Sequence, residues 1–223
     1  MSLVPLQAGN RRSLIERKHM GRVSDAKQRL MEAVRDLIWA GSYGSTTIDQ
    51  ICEKAGVKKG SFYYFFDSKA DLALTAIEGE WKTRRAELDS IFSPTVPPLE
   101  RIRNYCEYGY RFQAEIKAKF GVVLGCPLFS LGAEVSTQEN RLQKKIQEIL
   151  DYKRKYLETA IRDAQAAGLV HAPDVPAKAR ILFAYFQGLL TDARIQNNLE
   201  VLREAEHGTL EILGVKEVEP VPA

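Results

Sequence analysis

The chain has 223 residues, of which 45% are hydrophobic and 27% charged, with a formal net charge of +3. That is enough apolar material for one large domain, or for a small domain joined to a larger one, and it excludes a chain disordered throughout. No apolar stretch approaches the roughly 18 residues that span a bilayer, the opening MSLVPLQAGN lacks the form of a secretory leader, and three widely spaced cysteines suit neither a disulfide framework nor a zinc site.

Residues 1 to 70 carry 12 Lys/Arg against 7 Asp/Glu, whereas the remainder carries 20 against 22, so the basic surplus sits at the N-terminal end. Residues 1 to 23 hold Arg11, Arg12, Arg17, Lys18 and Arg22 without apolar periodicity, which reads as a flexible basic arm. Such an arm can track phosphates or can be a start-site extension ahead of Met20. A first helix is expected from an N-cap at Ser24 to about Ala40, with Leu30, Ala33, Val34, Leu37 and Ile38 forming one apolar stripe. Gly41 and Gly44 end it. Thr47 with Gln50 forms a capping box that opens a second helix burying Ile48, Ile51, Cys52 and Ala55. After Gly56 and Val57, a short helix from about Lys58 to Phe66 turns Phe62, Phe65 and Phe66 inward. Ser68 with Asp71 opens a longer helix running towards Ser90. SPTVPP, residues 93 to 98, cannot be helix interior and is the clearest candidate break. Further helices are expected at about 99 to 117, 127 to 135, 139 to 167, 175 to 197 and 199 to 213, with a frayed acidic tail from Val215. The fold class is therefore all-α. A head over residues 24 to 70 precedes a larger helical body over 71 to 214.

Two short helices around a glycine-containing turn form a helix-turn-helix pattern, whose second helix enters the DNA major groove. On that second helix Lys58, Lys59, Ser61, Tyr63 and Tyr64 face away from the phenylalanines. Gly60 costs the helix about 1 kcal/mol relative to alanine, which a close approach of phosphate or base edge to the backbone would explain. Lys59, Thr47 and Lys69 are candidate phosphate contacts, and Ser61 and Tyr64 candidate base readers. Packing of Tyr63 and Tyr64 between helices is the alternative.

These residues resemble the TetR family of bacterial transcriptional regulators. The resemblance rests on Tyr43, Thr46, Thr47 and Ile48, followed by Ala55, Gly56, Val57, Lys59, Gly60, Ser61, Phe62, Tyr63, Phe66, Ser68 and Lys69. Lys58 stands where the family usually has a capping serine, and Phe65 where histidine or tyrosine is common. The resemblance implies a homodimer reading a double-stranded palindromic operator, with half-sites about 34 to 36 Å apart or a simple variant of that spacing. It places the dimer interface on the last two helices, where Leu182, Phe183, Tyr185, Phe186, Leu189 and Leu190, then Leu199, Leu202, Ala205, Leu210 and Leu213, exceed the apolar content two surface helices need. It also implies a cavity for a small-molecule effector in the body.

Aromatic side chains on several body helices supply candidate walls for that cavity: Trp81, Tyr105, Tyr108, Phe112, Phe129, Phe183 and Phe186. Cys126 precedes Pro127 and is expected at a helix N-terminus, where the dipole favours a thiolate and hence reactivity; burial in an apolar pocket would make it inert instead. The stretch around Cys126 resembles a subgroup of the family that includes the N-ethylmaleimide-reductase repressor, in which a cysteine responds to electrophiles. An enzyme using the helix-turn-helix as mere scaffold is the competing class. It lacks support, because His19, His171 and His207 have no catalytic company. The chain is thus expected to be a cytoplasmic repressor released from DNA by a small-molecule or electrophile ligand, without cofactor, metal or membrane partner.

Overall fold

A computed structural model describes residues 11–137 and 139–215, with side chains from Asp25 onward. Among the described residues there are nine α-helices and no strand. They are α1 (Arg11–Ala40), α2 (Ile48–Ala55), α3 (Lys59–Phe65), α4 (Lys69–Ile91), α5 (Pro98–Phe120), α6 (Pro127–Val135), α7 (Asn140–Ala166), α8 (Val175–Gln196) and α9 (Glu204–Leu213), the last entered through a 3-10 turn at Glu200–Arg203.

The first boundary differs from expectation. α1 begins at Arg11, so Ser24 lies inside a helix rather than capping one, and the flexible arm does not extend to residue 23. Residues 11–23 contain no proline and are rich in Arg, Leu, Glu, Lys and Met, all good helix formers. They lack an apolar face, the feature by which a helix is recognised in sequence. The arm's first ten residues, and the tail from residue 216, lie outside the described residues. Val215 still belongs to the fold, donating its N–H to Leu210 O at 3.0 Å.

The other boundaries follow local chemistry. Thr47 caps α2 reciprocally with Gln50: its Oγ1 accepts from Gln50 N at 3.2 Å, while Thr47 N donates to Gln50 Oε1 at 2.9 Å. Ser68 accepts from Asp71 N at the start of α4. α5, α6 and α8 carry proline in the first turn, where its missing donor is harmless. The proline-rich segment before α5 is a turn within the body rather than a division of it, since neighbouring Phe92 is buried with its ring 5.1 Å from Tyr156 and 5.5 Å from Tyr105.

Two large clusters of buried residues organise the molecule. The head cluster combines Leu30 and Val34 of α1, Ile51 of α2, Phe62 of α3 and Leu72 of α4 with Leu131 and Val135 of α6 and Leu142 and Ile146 of α7. The body cluster draws on α4, α5, α7, α8 and α9, and Leu128 and Leu150 pack against both. A division of the chain at residue 70 therefore does not coincide with a break in packing. The head is seated on α6 and α7 of the body.

Candidate nucleic-acid interface and ligand cavity

The turn between α2 and α3 is set by Gly56, whose φ of 62° and ψ of 40° lie in the left-handed region. It lets Val57 N reach back to Cys52 O at 3.0 Å. α3 is then held by Phe62, which is 0% exposed, and by Phe66, while Phe65 is half-buried. Burial on that side turns the opposite face out. Lys58, Lys59, Gly60, Tyr63 and Tyr64 are exposed and Ser61 is half-exposed. Tyr63 and Tyr64 are 55% and 73% exposed, so the alternative in which they pack between helices does not hold. Each ring makes an edge-to-face pair with its phenylalanine neighbour, Tyr63 with Phe62 and Tyr64 with Phe65.

Gly60 supports the close-approach reading. A Cβ placed there would meet no atom within 4 Å, so nothing inside the protein requires glycine at this position. Lys58 takes an extended N-cap conformation without a side-chain cap, as its replacement of serine suggests. Lys59 is exposed and pairs with Asp49 of α2 at 2.8 Å, a bond that raises its pKa and holds the ammonium beside the start of α3. Thr47 is also exposed, next to this face.

Lys69 is a correction. Its ammonium donates to Tyr43 O at 2.7 Å and Thr46 O at 2.8 Å and lies 4.1 Å from the Tyr43 ring centroid. It is therefore an internal clamp between the start of α4 and the α1–α2 loop rather than a phosphate contact. From the first turn of α4 the long side chain reaches back across the loop to the carbonyls of Tyr43 and Thr46.

The body holds a cavity of about 120 Å³ walled by α1, α4, α5, α6, α7 and α8. Six of the expected residues line it: Trp81, Tyr105, Tyr108, Phe112, Cys126 and Phe186. Phe129 and Phe183 do not. Phe129 lies two positions beyond Pro127, on the opposite side of α6, and is 44% exposed. Phe183 sits one turn before Phe186 on α8, inside the body core. The small Gly109 makes room for the Phe186 ring, which a Cβ would strike.

Sequence reasoning missed several wall residues. Trp39, at the end of α1, stacks on Phe112 with centroids 5.5 Å apart and donates Nε1–H to Leu124 O at 3.1 Å. Gln113 organises the loop that leads to Cys126, donating to Gly125 O and accepting from the N–H groups of Leu124 and Gly125. Gly125 needs its φ of +65°, and a Cβ there would sit 3.0 Å from Leu190 O. Gln113 and Gln187 both interrupt apolar helical stripes, a polar-in-core signal that was available in the sequence.

The wall joins neutral phenols to a small set of charged side chains. Burial raises the phenol pKa of Tyr105, and raises that of Tyr108 to about 12, so both hydroxyls keep their protons near neutrality. Arg84 bonds Glu80 and Glu87 and stacks 4.2 Å from the Phe112 centroid, while Arg35 bonds Glu80 and Asp36. Cys126 is buried at the N-cap of α6, with its side chain on the cavity wall.

α6 connects the cavity to the head. Its first turn supplies Pro127 and Leu128 to the wall, and one turn on lies Leu131. Its other end presents Glu134, whose carboxylate accepts from Tyr43 N at 2.9 Å and Gly44 N at 2.6 Å. Tyr43 in turn donates its hydroxyl to Glu139 at 3.2 Å.

Residues 30–76 match the family described as bacterial regulatory proteins, tetR family, and residues 98–208 match the tetracyclin repressor-like C-terminal domain. The chain is similar to the HTH-type transcriptional repressor DhaR of Mycobacterium sp., 26% identical over 180 residues that cover 79% of this chain and 86% of that one. Its fold is similar to that of regulatory protein TetR from Rhodobacter sphaeroides, with a TM-score of 0.73 and 27% identity over 84% of this chain and 98% of the other. Reduced NemR of E. coli also shares the fold, at a TM-score of 0.73 and 21% identity over 87% and 100%.

Proposed function

Because the chain belongs to the TetR family of bacterial transcriptional regulators, we propose that it represses transcription as a homodimer on a palindromic operator and is released when an effector fills the body cavity. The observation that carries this reading is the outward face of α3. Lys59, Gly60 and Tyr64 stand exposed, and Ser61 half-exposed, on a helix whose phenylalanines anchor it to the head, as major-groove reading requires. Lys58, Lys59 and Thr47 supply phosphate contacts, and Ser61, Tyr63 and Tyr64 meet base edges or thymine methyls.

Release requires an effector that binds the DNA-competent and incompetent arrangements with different affinity. Two elements give the cavity a route to the head: α4, which starts at Lys69 beside α3 and contributes Trp81 and Arg84 to the wall, and α6, which ends on the Glu134 clasp. Cys126 on the same wall supports an electrophile as one form of effector, adding to the thiol.

Dimerisation is assigned to α8 and α9, but through only some of the side chains expected from sequence: Tyr185, Leu189, Leu199 and Leu210 remain half-exposed. Leu182, Phe183, Phe186, Leu190, Leu202, Ala205 and Leu213 are buried within the subunit. The outward seam of α8 is instead Ile181, Ala184, Gly188 and Ile195, spaced three, four and seven residues apart, with Ile181 and Ile195 at 52% and 77% exposure. A Cβ at Gly188 would meet nothing within 4 Å, which leaves a shallow place for a partner helix.

The test is a gel shift on DNA flanking the protein's own gene. A retarded complex competed away by specific but not by random duplex supports the proposal. Equal competition by both duplexes refutes sequence-specific reading.

A further inference from the structure

Gln187 is 2% exposed, lines the cavity, and leaves its Oε1 buried without a hydrogen-bond partner. An orphaned buried amide costs folding free energy of about 1–3 kcal/mol, so a group retained there is explained by a partner that arrives from outside. The orphaned Oε1 is an acceptor and meets a donor as it stands; a half-turn of the amide presents the NH2 in its place, and it is this orientation that donates to an anionic oxygen.

Charge supplies a second constraint. Arg35 and Arg84 on the wall are occupied by Asp36, Glu80 and Glu87. Lys153 of α7 also lines the cavity, half-buried, and no acid lies within ion-pairing distance of it among the described residues. Asp36 also pairs with Lys119, so Arg35, Arg84 and Lys119 balance the three acids, and among the described residues of the wall Lys153 is left as the one uncompensated positive charge.

Size supplies the third. At about 120 Å³ the cavity is a little smaller than an apolar cavity of about 150 Å³ that takes up benzene, a size that suits an occupant of roughly six non-hydrogen atoms. Most of the remaining wall is apolar, with Trp39, Trp81, Phe112 and Phe186 among aliphatic side chains such as Ile38, Ile77 and Leu128.

We infer that the cavity binds a small monoanion, a short-chain carboxylate, with Gln187 as its buried hydrogen-bonding partner, Lys153 as its counter-charge and the aromatic side chains around its apolar stub. This deepens the effector reading and rests on it for biological meaning. Binding itself is independent of DNA.

The chain's two tryptophans, Trp39 and Trp81, both line the cavity, so intrinsic fluorescence reports occupancy directly. Four probes of one chain length separate the head groups: butyrate, butyramide, 1-butanol and butylammonium, each titrated into the full-length protein. The expected order is butyrate tightest, then butyramide, then butanol, with butylammonium at least about tenfold weaker than butyrate. Gln187→Leu should weaken butyrate and butyramide about tenfold while melting at or above the wild-type temperature, because it removes the orphan without opening a void. Lys153→Met should abolish the preference for butyrate over butyramide and leave butanol unchanged. The inference is overturned if butylammonium binds as tightly as butyrate, if neither substitution alters butyrate binding, or if no probe quenches or shifts the tryptophan emission at tens of millimolar. Operator affinity is then measured at butyrate saturation. A cavity that takes butyrate without changing DNA affinity upholds the ligand class and refutes the effector reading.

Discussion

Gly60 lies in a helix only seven residues long, where glycine weakens the helix by about 1 kcal/mol relative to alanine. Because a Cβ there has open space around it, Gly60→Ala should raise stability by about that amount, seen as a higher denaturant midpoint. The same methyl would stand between α3 and DNA, so operator affinity should fall several-fold. A variant that is more stable and binds equally tightly would remove the case for close approach. The thiols make a separate prediction. Burial raises Cys106 from the ordinary 9.0 to about 11, partly offset by its bond to Thr209. A raised folded pKa means its stabilising contribution is complete below pH 9 and is lost as pH climbs to about 11, so melting temperature should drop across that window and drop less in Cys106→Val. In native protein N-ethylmaleimide should modify Cys126, reached through the cavity, before Cys106; mass spectrometry of tryptic peptides gives the order, and prior modification of Cys106 would contradict that access. At this scale legibility followed locality. Tyr63 and Tyr64 could be placed outward because the phenylalanines beside them had to turn in, whereas Lys69 was misread because its partners, Tyr43 and Thr46, lie more than twenty positions upstream.

Helices were legible wherever a cap or a proline marked them, as at Thr47, Pro127 and Gly168, which takes a φ of +73° just past α7. The start of α1 was not, because residues 11–23 lack the apolar periodicity that tertiary burial imposes. The cavity was legible only in part, since it is assembled from six helices and Trp39 belongs to the head's own first helix. That arrangement places α6 between the wall at Leu128 and the clasp at Glu134, as the proposed coupling route requires. Removing the carboxylate takes the partner from two backbone donors, the part-buried Tyr43 N and the exposed Gly44 N. Glu134→Ala should therefore loosen the head on the body, lowering operator affinity modestly. It should also shrink the difference in operator affinity between ligand-free and ligand-saturated protein, measured by anisotropy. An unchanged difference would take α6 out of the coupling route and leave α4 as the sole lever.

At the scale of the whole molecule the proposed dimer decides function, since on a palindromic operator one head would cover only half the site. The apolar excess of α8 and α9 was visible in sequence, but its division between the subunit core and an outward seam was not, because both faces are apolar and only packing separates Phe186 from Ile195. Ile195→Glu places a charge on the most exposed apolar side chain of the seam and should shift the protein from dimer to monomer in sedimentation at micromolar concentration, with a melting temperature for the isolated subunit close to that expected from its intact internal core. A dimer of unchanged strength would move the interface off α8. Two heads acting together also double each phosphate contact. The central claim, that the exposed face of α3 reads DNA, is tested most directly by operator affinity across a salt series for wild type, Lys59→Ala and Tyr64→Ala. Lys59→Ala should weaken specific and random duplex alike and reduce the salt slope by about 0.9 per head, whereas Tyr64→Ala should lower the ratio of specific to random affinity and leave the slope in place. Wild-type affinity, slope and preference in both variants would contradict the account.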